Sequence, residues 1–69
     1  MRIDAPYGTK VKFTHPTYGW PGDIKQAERY LKLGQIYTVL RTVIYDSSTT
    51  VYLEEIPRIG FNSVQFDEV

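Results

Sequence analysis

The chain has 69 residues, with eight basic and eight acidic side chains, one histidine and no cysteine. These figures exclude a disulfide framework, a thiolate metal site and a histidine cluster, and zero net charge gives no global pull toward nucleic acid or anionic lipid. The length allows one small domain, residues 1–69, whose six Tyr, three Phe and one Trp must supply much of the core.

The opening residues, Met1 to Pro6 (MRIDAP), lack the apolar run of a secretory signal. No stretch approaches the ~20 apolar residues that span a bilayer, so a cytoplasmic protein with no membrane partner is expected. Pro6-Tyr7-Gly8 reads as a turn. Thr9 to Thr14 (TKVKFT) then alternates, with Val11 and Phe13 on one face and Lys10 and Lys12 on the other, which predicts a half-buried strand. His15 to Gly22 (HPTYGWPG) holds two prolines and two glycines and reads as a loop carrying Tyr18 and Trp20.

Asp23 followed by Gln26 suggests an N-cap and capping box for a helix over Ile24 to Leu31. Ile24, Ala27, Tyr30 and Leu31 fall on one stripe at helical spacing, and Gly34 is placed to stop the helix. Gln35 to Tyr45 (QIYTVLRTVIY) is the longest β-prone run. Apolar residues occupy both of its parities, as in a strand that bends across a small barrel. Asp46-Ser47-Ser48 is a turn signal, and Thr49 to Ile56 (TTVYLEEI) completes a hairpin over Gln35–Ile56. Pro57 to Gly60 reads as a second turn. Phe61 starts a short strand, Asn62 or Ser63 caps a helical turn, and Asp67 to Val69 closes a last strand. The expected fold is mainly β: a partly open barrel of about five short strands with one short helix in the long loop after strand 1.

Three segments carry a family resemblance. Leu33-Gly34-Gln35-Ile36-Tyr37-Thr38-Val39 resembles the L-x-x-G-K-x-Y-x-V signature of small SH3-like barrel proteins of phages and mobile elements, with Leu31 or Leu33 in the leucine position. Gly60 to Glu68 resembles the ending of that group, and Gly8 to Phe13 its opening strand. The resemblance implies an SH3-like barrel of phage or prophage origin. It implies no reaction, and the long loop His15 to Tyr30 departs from the shorter loops of the group.

Catalytic constellations are missing from the residues themselves. No serine sits in a G-x-S-x-G elbow, and no phosphate-cradling glycine loop occurs. The acidic pairs Glu54–Glu55 and Asp67–Glu68 are sequence neighbours that point to opposite faces of a strand. A binding protein without cofactor or metal is therefore expected, and no enzyme.

The candidate partner-binding residues are Tyr7, His15, Tyr18, Trp20 and Tyr52, with Tyr30 at the margin. Loops on a rigid scaffold concentrate binding residues, and Trp and Tyr dominate interface hot spots. The bland alternatives are that Trp20 caps one barrel mouth and that Tyr52 pairs with Tyr45 across the hairpin. Lys10, Lys12, Lys25, Arg29 and Lys32 form a basic set that would serve a nucleic-acid-binding barrel with stacking aromatics. A third reading is structural assembly through exposed strand edges. A protein partner leads these readings, for a chain that is a monomer or a weak homo-oligomer.

Overall fold

Lys10 and Lys12 alternate with Val11 and Phe13 so that only the apolar pair is buried, and this period of two makes β1 (Lys10–Phe13). The computed structural model describes residues 1–69. After β1 come α1 (Pro21–Tyr30), β2 (Ile36–Ile44), β3 (Thr49–Leu53), β4 (Ile56–Asn62), a 3₁₀ turn at Ser63–Gln65 and β5 (Phe66–Glu68). The five strands form one open antiparallel sheet in the order β4-β3-β2-β1-β5. The mainly β class, the strand number and the helix after strand 1 are as the sequence predicts.

The core gathers Val11, Phe13, Tyr37, Val39, Val51, Leu53, Phe61 and Phe66 from all five strands, with Ala27 and Leu31 from the helical segment. Phe66 sits at its centre. Its ring meets Phe13 at 5.7 Å, and Tyr37 and Phe61 each at 6.4 Å, in tilted or edge-on geometries that favour aromatic pairs. The Tyr37 hydroxyl is not stranded inside, because it accepts the Lys32 N–H at 3.0 Å. No helix is long and apolar enough to cross a membrane.

The mixed parity of β2 has a discrete cause. Val39 pairs with Leu53 and Arg41 with Tyr52, which leaves Leu40 as one extra residue on β2. Such a bulge reverses which parity faces inward. Tyr37 and Val39 point into the core before it, and Thr42 lies opposite the buried Val51 after it.

Four local expectations are corrected. The helix begins at Pro21, with Trp20 as N-cap and Asp23 at the third helical position. Proline needs no N–H partner in a first turn, so Pro21-Gly22 belongs to the helix and not to the loop. The helix ends at Tyr30, where Leu31 turns extended while its N–H still reaches Ala27 O at 2.7 Å. Gly34 lies beyond that end, in the turn into β2, its N–H bonded to Phe13 O at 2.8 Å. Tyr30 falls off the buried stripe and is exposed.

Pro57 to Gly60 is no turn. The chain reverses at Glu54-Glu55, and Pro57, Arg58 and Ile59 lie in a section of β4 where the ladder skips from Leu53↔Ile56 to Tyr52↔Gly60. Proline has no N–H for a ladder and is tolerated in such an unpaired section. The true turn has no glycine or proline to announce it. It is held by Glu54 N–H to Thr38 O at 2.8 Å and by the Glu55 carboxylate accepting Thr38 N–H at 2.9 Å.

Candidate functional site

The loop between β1 and α1 is anchored at its entrance by main-chain bonds. Thr14 and His15 both donate their N–H to Gln65 O at 3.1 Å, which ties the loop to the 3₁₀ turn. His15 Nε2 lies 3.2 Å from Asp67 Oδ2, and the Thr14 hydroxyl donates to the same oxygen at 2.8 Å. The Thr14 bond foremost, with help from His15, holds the Asp67 carboxyl below the usual carboxylate range. The Tyr18 ring stacks on His15 with 4.3 Å between centroids and 7° between planes. Tyr18 nevertheless remains 51% exposed.

The exit of the loop is fixed by Asp23. Its Oδ2 accepts the Trp20 N–H at 2.9 Å and the Asn62 side-chain amide at 3.0 Å. Asn62 Oδ1 in turn accepts Val64 N–H at 3.2 Å and opens the 3₁₀ turn. One carboxylate therefore joins the helix start to the end of β4. Gly19 makes room for this knot: at φ +95° a Cβ would stand 2.9 Å from Asp23 Oδ2 and 3.2 Å from Asn62 Nδ2. A second tie, from the Gln26 side-chain amide to Gly60 O, docks α1 against β4.

These ties leave a groove of about 310 Å³ lined by Gly19, Trp20, Ser47, Ser48, Asn62 and Val64. It brings together the loop exit, the β2–β3 turn and the 3₁₀ turn. Trp20 is 60% exposed on its rim and does not cap the sheet. A family model described as Bacteriophage T4 protein Y07B matches residues 9–69. The chain belongs to that family. No curated protein and no solved structure matches it. The matched range takes in every strand, the helix and all six residues that line the groove in this Y07B-family protein.

Of the five aromatic and histidine candidates from the sequence, only Trp20 lines the groove. Tyr18 and His15 form their own stack on the same loop. Tyr7 is distant: its phenol lies beside Glu54, whose charge raises it above the ordinary tyrosine range. Glu54 follows the far end of β3 from Ser47 and Ser48, so Tyr7 stands at the opposite end of the hairpin from the groove.

Tyr52 has a structural post. Its ring lies over Gly60, where a Cβ would come within 3.2 Å of Tyr52 Cζ and 2.5 Å of Thr50 Cγ2. The Arg41 guanidinium stacks 4.0 Å from the ring centre. Arg41 and not Tyr45 is its cross-strand partner, because the bulge at Leu40 sets that register. The alternative of a Tyr45–Tyr52 pair is therefore not the one that forms.

The basic set divides as well. Lys10 Nζ is bound to Thr38 Oγ1 at 2.6 Å, while Lys12, Lys25, Arg29 and Lys32 are exposed and enter neither of the two ion pairs. No group of three or more His, Asp or Glu side chains is placed to hold a metal. Ser47, Ser48, Asn62 and Val64 are groove residues that the sequence reading missed. Their local roles as turn and cap are visible in the sequence, but their convergence on Trp20 depends on long-range pairing.

Proposed function

We propose that this member of the Y07B phage family is a non-enzymatic binding module that captures a protein partner, of the phage or of the infected cell's cytoplasm, in the groove beside Trp20. The observation that carries this reading is a tryptophan more than half exposed yet immobilised at its backbone by Asp23. A main chain fixed in advance lowers the ordering cost of binding, and tryptophans dominate interface energetics. The strand order, the long segment between β1 and β2 and the 3₁₀ turn before β5 support assigning the sheet to the SH3-like class.

The other readings have less behind them. Nucleic-acid binding would need the cations and the exposed rings to converge, and Lys10 is already engaged by Thr38. Edge-to-edge assembly is opposed at β4 by Pro57 and by Gln26 occupying Gly60 O, and β5 is only three residues long.

The test is affinity capture from host lysate with mass spectrometry, run beside Trp20→Ala and Val64→Asp variants whose folding is checked by circular dichroism. Loss of a hot-spot tryptophan costs about 2 kcal/mol or more, or roughly 30-fold in affinity. Capture of the same partner at equal strength by a folded Trp20→Ala variant overturns the reading.

A further inference from the structure

We infer that a second face of the protein, the apolar groove alongside α1, docks an acidic protein segment that carries a bulky apolar side chain. This groove also measures about 310 Å³, and its walls include Phe13, Pro16, Ile24, Leu31 and Leu33. It shares no residue with the groove beside Trp20. Leu33 is 67% exposed at its lip, and exposed Ile36 follows at the start of β2. A lone exposed leucine is ordinary on a protein surface, but one that edges an apolar hollow offers a seat for an apolar side chain.

Charge indicates what the occupant carries beside that side chain. Ile24 and Glu28 form the helical wall of the groove, with Leu31 just past the helix end. Lys25 and Arg29 each follow a wall residue by one position, which puts them about 100° farther round the helix at 3.6 residues per turn. Lys32 follows in extended chain just past the helix end. All three cations are exposed, and neither ion pair of the protein uses them. A cationic stripe beside an apolar trough is complementary to a segment that sets an apolar side chain in the trough and carboxylates over the stripe. Glu28 is the only ionisable group in the groove wall, and its like charge disfavours a carboxylate inside the trough itself. Nucleic acid fits this face less well, because Phe13 is buried and the groove presents no open aromatic ring for a base to stack on.

The probe is a panel of fluorescein-labelled decapeptides of alternating Asp and Glu with a central Phe, Leu or Trp, titrated by anisotropy against the full chain at low salt. Control peptides carry Ala at the centre, or Lys in place of the acids, and a ten-nucleotide oligo-dT is run in parallel. Binding by at least one acidic peptide is expected, weakened at least tenfold in both peptide controls and reduced by salt. Leu33→Asp and the double variant Lys25→Glu/Arg29→Glu should each lose at least tenfold, while Trp20→Ala leaves binding unchanged. No binding across the panel at 1 mM peptide (roughly the weakest specific affinity worth the name,), equal binding of the Ala control, or preference for oligo-dT overturns the inference. Loss of peptide binding in Trp20→Ala alone moves the site to the first groove and also overturns it. The groove beside Trp20 stands or falls on its own capture experiment.

Discussion

On the inner face of the sheet, the side chains of Val11, Val39, Val51 and Leu53 are wholly buried in one apolar cluster. At the junction of the aromatic loop, α1 and the 3₁₀ turn, Trp20 and Tyr18 stand more than half exposed, and the ties are polar bonds converging on Asp23, Asn62 and Gln65 O. The first region derives its stability from area removed from water, which is large and non-directional. The second derives a fixed shape from directional bonds of modest net strength. A 69-residue chain without disulfides needs the first region to exist as a folded body, and the second to present a surface. Substitutions should therefore divide, with inner-face changes acting on folding and junction changes on binding.

The largest effect should come from Leu53→Ala. Emptying a fully buried leucine site costs about 2–5 kcal/mol, and a chain this short has a total stability of roughly 3–10 kcal/mol at about 0.05–0.15 kcal/mol per residue. Urea denaturation should show a variant partly unfolded in water or close to it. A midpoint within experimental error of the parent would mean that the inner face is not the stabilising region. Gly19→Ala should come next, at about 1–3 kcal/mol for a strained backbone conformation. It forces a β-carbon into the Asp23–Asn62 knot. Its distinctive mark is that partner capture should fall together with Trp20→Ala, whereas a milder core variant such as Val51→Ala, at matched stability, should still capture. Equal capture by Gly19→Ala and Val51→Ala would erase the distinction between the two regions.

The same two regions differ in how far the sequence discloses them. Period-two alternation places Val11 and Phe13 correctly, and Gly-Pro punctuation isolates the aromatic loop, because both signals are local. The bulge at Leu40 is visible only as an unexplained mixing of parities in Gln35–Tyr45. The turn at Glu54-Glu55 is silent, since the groups that hold it, Thr38 N–H and O, lie more than a dozen residues upstream. The helix start was displaced because Pro21-Gly22 carries a loop signal that a first helical turn also accepts. Trp20 was legible as a candidate from its residue type and its proline-braced setting. Its neighbours in the groove were not, because Ser47, Ser48 and Val64 reach it only through strand pairing.

Gln65 lies on the seam between the regions and tests how dry the core is. It is fully buried between Val64 of the groove and Phe66 of the core, and neither polar atom of its amide has a protein hydrogen-bond partner. Leaving buried polar groups unpaired costs about 1–3 kcal/mol. Replacing them by an apolar group of similar shape should recover part of that, so Gln65→Met should raise the thermal midpoint by several degrees, at about 4–8 °C per kcal/mol for this size. Its main-chain oxygen, which anchors Thr14 and His15, is untouched by the substitution. A lowered midpoint would show that the amide has bonding partners in solution and that the polar character of the junction extends into the core.

The smallest effect is expected at Glu55, and its value lies in its pH dependence. Desolvation pushes this carboxyl up, but the N–H groups of Thr38 and of Glu55 itself, with Lys10 nearby, outweigh that and set it below the usual glutamate range. A carboxyl depressed in the folded state stabilises the protein fully above its unfolded-state value, about 4.3, and loses that contribution as pH falls through the lower folded-state value. Glu55→Gln should therefore melt below the parent at pH 7, by less than about 1 kcal/mol for a surface charge, and the gap should narrow as pH falls below about 4.3. Asp67 and Glu68 are depressed in the same direction, so the variant keeps an acid limb of its own. A gap that stays constant from pH 7 to pH 3 would mean that Glu55 holds the β3–β4 turn by shape and not by charge.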